Sequence, residues 1–264
     1  MIKKLLPLAI MAAFAAGSVQ AASFTNGGFE DGNLNGWTGG GGNWSAYGDQ
    51  GVPNYVAYTG GALPTASEYV GGTANNTVVS GGNDPITGDT TVYNGSYAVR
   101  VNDSNNNYSV STIKQSVLGY SDSDIYFQWN AVLASSHDVA DSDYFSLTLH
   151  DDSKGVDVLT RSYSSASAPG TFVNLGNGWF GSRWQLEHID LTTAGAGGTT
   201  LVGDNFTLSL LAADCPYGGH AGYVYIDGFA PTIIPPGTVP EPASLALVGL
   251  GLAGLATCRR RKSV

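Results

Sequence analysis

A period-two alternation of apolar and polar side chains recurs along the middle of the chain. Ile125, Phe127, Trp129, Ala131 and Leu133 alternate with Tyr126, Gln128, Asn130 and Val132. Phe145, Leu147 and Leu149 alternate with Ser146, Thr148 and His150, and Phe206, Leu208 and Leu210 with Thr207 and Ser209. Successive strand residues point to opposite faces, so each pattern predicts a strand with one buried and one solvated face. No apolar repeat of helical period lasts three turns between the two chain ends. The pattern therefore predicts an all-β domain.

The ends follow a different rule. Residues 1–21 run from Lys3 and Lys4 through an apolar stretch, Leu5 to Ala16, to Val19-Gln20-Ala21, with small residues where a signal peptidase cuts. This predicts a secretory signal peptide cleaved before Ala22. At the other end, Pro240-Glu241-Pro242 precedes a Leu/Ala/Gly run and then Arg259-Arg260-Arg261-Lys262. The apolar helix expected over about 243–258 would be roughly 25 Å long at ~1.5 Å per residue, short for a hydrocarbon core of about 30 Å. Snorkelling arginines and bilayer thinning close that gap, and the basic tail, residues 259–262, holds the end in the cytoplasm. The order Pro-Glu-Pro, short apolar helix, arginine cluster resembles the PEP-CTERM sorting signal of exopolysaccharide-producing Gram-negative bacteria. The resemblance implies recognition and cleavage near Pro240, Glu241 and Pro242 by an exosortase, with Arg259, Arg260 and Arg261 as the basic end. It implies export to the cell surface or extracellular matrix, with transient anchoring in the inner membrane.

Residues 22–234 are long enough for one β-sandwich with its own core, and residues 235–264 form a proline spacer and the sorting segment. Between Thr38 and Thr91 the chain turns to Gly, Asn, Thr and Tyr, including Gly39 to Gly42. We read this as a glycine-rich loop insertion in which Tyr55, Val56, Tyr58, Tyr69, Val70, Val78 and Val79 form at most short strands. The whole chain carries 11 Lys and Arg against 21 Asp and Glu, and six of those 11 basic residues lie at the two ends. So acidic a middle excludes nucleic acid as a partner and favours cations.

Three short motifs occur in order. The domain opens Asn26-Gly27-Gly28-Phe29-Glu30, reaching Gly36-Trp37; Asn94-Gly95-Ser96-Tyr97-Ala98-Val99-Arg100-Val101 follows; Tyr223-Val224-Tyr225-Ile226-Asp227-Gly228-Phe229 closes it. Together they resemble the jelly-roll domains of the galactose-binding-like superfamily and several carbohydrate-binding modules. The resemblance implies a single jelly-roll β-sandwich. It also implies a structural Ca²⁺ held by Glu30 and Asp227, with oxygen from the Asn94 to Ser96 turn, since calcium takes six to eight hard oxygen ligands. The segment Asp214-Cys215-Pro216-Tyr217-Gly218-Gly219-His220 is similar to one in surface proteins with this kind of sandwich, and implies no reaction.

Other constellations fall short of a chemistry. Cys215 and His220 lack the partners for a zinc site or nucleophile, and predict a packed thiol beside a glycine turn. Asp138, Asp141 and Asp143 lack the Gly and Glu of a calcium loop, and predict a solvated turn. Glu187 and Asp190, three apart on a strand, point to opposite faces and cannot flank one glycosidic bond. No nucleophile elbow, HExxH or phosphate loop occurs. Trp37 and Trp129 sit in strand patterns and belong to the core. Trp44, Tyr47, Tyr55 and Tyr58 are left in the insertion, where aromatic faces stack on sugar rings. The expectation is an exported, non-catalytic protein that binds exopolysaccharide or another glycan. A purely structural matrix protein and a polysaccharide-degrading enzyme are the other readings. If the tail is a sorting signal, deleting residues 240–264 releases a folded, unprocessed domain into the medium, checked by fractionation and intact mass. Full-length protein still carrying Arg259 to Val264 at steady state in its host would contradict it.

Overall fold

The computed structural model describes residues 23–44, 55–56, 75–135, 142–165, 170–216, 218–233 and 235–236, with the backbone alone at 44, 55 and 56. Its strands are β1 (Thr38–Trp44), β2 (Tyr55–Val56), β3 (Asn76–Ser80), β4 (Tyr97–Val101), β5 (Ser109–Val117), β6 (Asp124–Ala134) and β7 (Tyr144–Asp151). They continue with β8 (Val156–Tyr163), β9 (Val173–Gly176), β10 (Trp179–Gly181), β11 (Gln185–Asp190), β12 (Phe206–Ala213) and β13 (Gly222–Ala230). The one helical element among the described residues is a 3₁₀ turn, Ala196–Gly198.

The strands form a six-stranded sheet, β2-β1-β5-β12-β7-β8, and a seven-stranded sheet, β3-β4-β13-β6-β10-β9, in which β11 also pairs with β6. Successive core strands change sheets: β4 and β5, β6 and β7, and β12 and β13 each have one member in either sheet. The resulting interleaving, β4-β13-β6-β11 against β5-β12-β7-β8, is the jelly-roll connectivity. All pairings except the short β1–β2 contact are antiparallel. The predicted alternations become β6, β7 and β12, and their apolar members, Phe127, Trp129, Phe145, Leu147, Leu208 and Leu210 among them, meet in the core between the sheets. The N-terminal segment closes one end: Trp37 packs against Phe229 with ring centroids 4.9 Å apart, tilted at 53°, beside Phe24 and Phe29. Gly27 is required here, since a Cβ would fall 2.3 Å from the Phe229 carbonyl oxygen.

Three expectations change. Gly39 to Gly42 are strand, not loop, because β5 offers them a full ladder of partners from Ile113 back to Val110. Backbone pairing outweighs glycine's conformational freedom there. The polar face of β7 is not solvated: Ser146 and Thr148 are buried, and neither hydroxyl has a partner. Asp143 is wholly buried rather than part of a solvated turn, because it directly precedes β7 and its Oδ2 accepts from Ala134 N at 2.8 Å. Asp138 and Asp141 lie outside the described residues.

A second, smaller apolar cluster lies on the outer face of the seven-stranded sheet, where Val132, Tyr223 and Tyr225 pack with Val79, Ile86, Trp179 and Trp184. The loop after β3 is fastened over it by Asp84. Its Oδ2 accepts from Tyr223 Oη at 2.6 Å and Tyr225 Oη at 2.8 Å, and its Oδ1 from Ile86 N and Thr87 N. A hydrogen bond to a charged, buried group is worth about 1.5–3 kcal/mol. Tyr223→Phe should therefore lower stability by about 2 kcal/mol in urea denaturation. An unchanged unfolding midpoint would show that Asp84 does not hold this loop.

Candidate functional site

Three polar places are built into this frame. The first joins the N-terminal turn to the last strand. Asn26 and Phe29 adopt positive φ, which coils the segment so that Glu30 reaches the turn before β4. Ser96 N donates to both Glu30 oxygens at 3.0 Å, and Tyr97 N to Oε1 at 3.1 Å. On β13, Asp227 Oδ2 accepts from Tyr93 N at 3.0 Å and Asn94 N at 2.9 Å. Gly95, at φ +73°, permits the close approach: a Cβ would lie 2.3 Å from Glu30 Oε1. The turn expected to offer oxygens to a cation thus meets both carboxylates with its N–H groups. Asp227 is fully buried, and its Oδ1 has no partner. Burial, with a smaller contribution from the Glu30 charge, pushes its carboxyl up to about 8, against the pull of the backbone donors.

The second place is a cleft of about 390 Å³ on the outer face of the six-stranded sheet, lined by Lys114, His150, Asp152, Asp157, Thr207 and Ser209. Antiparallel register brings them together: Ser209 lies opposite both Lys114 and Thr148, and Thr207 opposite His150. His150 Nδ1 is 2.7 Å from Asp157 Oδ1, and Thr207 Oγ1 donates to Asp152 at 2.8 Å. Burial lowers the pKa of Lys114. The unpartnered Thr148 and Ser146 hydroxyls continue along β7 from this cleft. At the other end of β5, a second hollow of about 380 Å³ is lined by Asn43, Asn75, Asn107, Ser109, Val110 and Ser111 together with Gly42. Sequence reading took Thr207, Ser209 and His150 only as the solvent side of their strands. Their convergence depends on register between strands far apart in sequence.

The third place is a buried polar knot where the sheets meet. Asp214 Oδ2 accepts from Asn107 N at 3.0 Å and Ser109 N at 2.9 Å, and Oδ1 from Asn102 Nδ2 at 3.1 Å. Oδ1 also accepts from Gly222 N at 3.5 Å, and Asp143 flanks that glycine, whose Cβ would fall 2.8 Å from Asp143 Oδ2. Cys215 is buried beside it. Glu187 and Asp190 diverge as the spacing demands. Glu187 turns inward to accept from Trp129 Nε1 and Tyr163 Oη at 3.3 and 3.2 Å, whereas Asp190 is exposed.

Trp44 ends β1 and Tyr55 begins β2, so the backbone places Tyr55 on the edge strand of the six-stranded sheet and Trp44 on the strand next to it. Tyr47 and Tyr58 lie outside the described residues, as do Pro240, Glu241, Pro242, Arg259, Arg260, Arg261 and both expected terminal segments. Among the described residues no helix is long and apolar enough to cross a membrane, and no three His, Cys, Asp or Glu side chains converge.

Residues 238–262 match the PEP-CTERM protein-sorting motif, which marks an exported protein. No curated protein matches the chain. Among solved structures, TmCBM61 in complex with beta-1,4-galactotriose is similar at 13% identity and TM-score 0.40, over 78% of this chain and 95% of that one. CBM27-1 of Caldicellulosiruptor saccharolyticus in complex with mannohexaose is similar at 11% identity and TM-score 0.33, over 61% and 84%. The family 11 carbohydrate-binding module of Clostridium thermocellum is similar at 10% identity and TM-score 0.31, over 79% and 94%.

The polar knot makes stability depend on pH. Burial foremost pushes Asp214 up to about 7 and raises Asp143 well above the usual carboxylate range. A carboxyl at about 3.9 when unfolded and near 7 when folded takes up a proton on folding. Its stabilisation is complete below the lower value and is lost as pH rises through the upper one. The melting temperature should fall between pH 4 and pH 7.5, and Asp214→Asn should flatten that slope. Parallel slopes for variant and wild type would contradict the assignment.

Proposed function

We propose that the chain is an exported, non-catalytic glycan-binding protein, processed by an exosortase and working at the cell surface or in the exopolysaccharide matrix. The observation that carries the binding role is the cleft over β5, β7, β8 and β12. It gathers an ammonium, an imidazole–carboxylate pair and two hydroxyls, a set that donates to and accepts from sugar hydroxyls. Trp44, Tyr47, Tyr55 and Tyr58 are the proposed stacking partners for the sugar rings.

Calcium is the proposed structural cofactor. The fit lies in Asp227: a buried carboxylate oxygen with no donor, next to a second carboxylate, is a site that a hard dication relieves. Glu30 and Asp227 hold the ion through their side-chain oxygens. The ion supplies charge and cross-linking between the N-terminal turn and the last strand, not catalysis.

His150→Ala combined with Thr207→Ala should weaken retention on the host's exopolysaccharide at least about tenfold, a loss of 1.4 kcal/mol. Trp44→Ala should do the same. Affinity electrophoresis reads both, and circular dichroism confirms the fold. Equal retention of folded variants and wild type would leave the structural matrix role. Calcium at about a hundred times its Kd should add about 2.7 kcal/mol of stability, several degrees in a domain of this size. Identical melting in EDTA and in calcium would reject the ion.

A further inference from the structure

Gln128 on β6 lies directly across from Asp227 on β13. Its side chain is buried, and neither Oε1 nor Nε2 has a hydrogen-bond partner. Buried amides are nearly always answered, so one with both ends unmet calls for a physical cause. Its neighbour Asp227 has an oxygen in the same condition. Both groups gather at Gly228. A Cβ there would fall 2.1 Å from Gln128 Oε1, and φ of +71° suits a glycine. The Gly228 N–H is among the donors that favour the charged form of Asp227. On these two paired strands, the Gln128 amide and Asp227 Oδ1 are therefore both left without a partner.

We infer that Gln128 Oε1 is a third side-chain ligand of the cation held by Glu30 and Asp227; this rests on the calcium reading above. Two carboxylates already balance the charge of a dication. A neutral amide oxygen adds coordination without an excess of negative charge, and hard oxygen donors of either kind suit calcium. Sequence reading passed over Gln128 because it occupies the polar phase of a strand, where a solvated residue is the ordinary reading. It becomes a ligand candidate only when β13 is placed beside β6.

The test is calcium affinity, read by displacement of Tb³⁺ whose luminescence is sensitised by the protein's aromatics, with melting in EDTA as the second readout. Gln128→Leu should weaken calcium binding at least about tenfold while melting in EDTA is unchanged or raised, because an apolar side chain replaces an unmet amide. Gln128→Glu should bind Tb³⁺ more tightly than wild type and melt lower in EDTA, since it adds a third buried carboxylate. Gln128→Leu binding calcium as tightly as wild type, with Asp227→Asn weakened, overturns the role of Gln128 and leaves the calcium site standing. No calcium binding by wild type overturns both. Should Gln128→Leu fail to fold, an unchanged affinity in Gln128→Glu overturns the proposal, and a gain supports it.

Discussion

A carboxylate taken out of water must be met by donors or by a cation, and this chain has few cations to offer. Between residues 22 and 238 its basic side chains are Arg100, Lys114, Lys154, Arg161 and Arg183. Burying an unanswered charge is among the costliest events in folding. The structure resolves this with backbone and hydroxyl donors. Asp84 is met by two amides and two tyrosines, Asp214 by amides on either side of Tyr108 and by Asn102, and Glu30 and Asp227 by the turn from Tyr93 to Tyr97. Each carboxylate ties a loop to a strand end, so the acids work as fasteners at the rims of the sandwich. Aspartate's short side chain suits it to turns in this way.

This constraint orders the rest. The apolar core between the sheets sets the jelly-roll frame, and the fastened loops determine which faces stay open. Asp84 holds one loop over the seven-stranded sheet, together with the cluster around Tyr223 and Trp184. The six-stranded sheet keeps a polar cleft on its outer face. Backbone donors run out at Asp227 Oδ1 and at the Gln128 amide. An export route marked by the C-terminal sorting motif fits a function outside the cytoplasm.

The frame was legible because its signal is local. Alternation at Ile125 to Leu133, Phe145 to Leu149 and Phe206 to Leu210 identified three central strands and their core faces. Trp129 was legible for the same reason, whereas Trp37 reaches the core from the turn just before β1. Gly39 to Gly42 were not, because a glycine run takes its structure from its partner β5, far away in sequence. Asp143 was missed since turn chemistry and burial compete at a strand end, and only the neighbouring sheet settles the outcome. The cleft was the least legible feature, because Lys114, His150, Asp157, Thr207 and Ser209 become neighbours only through register across four strands.

The claim that buried carboxylates are clamped by backbone donors is most directly measured by native-state hydrogen exchange at Tyr93, Asn94, Ser96 and Tyr97. The account predicts that these amides exchange as slowly as core amides such as Ile226, despite lying in a turn, and more slowly still with calcium bound. Exchange at the rate of an open loop, indifferent to calcium, would contradict it.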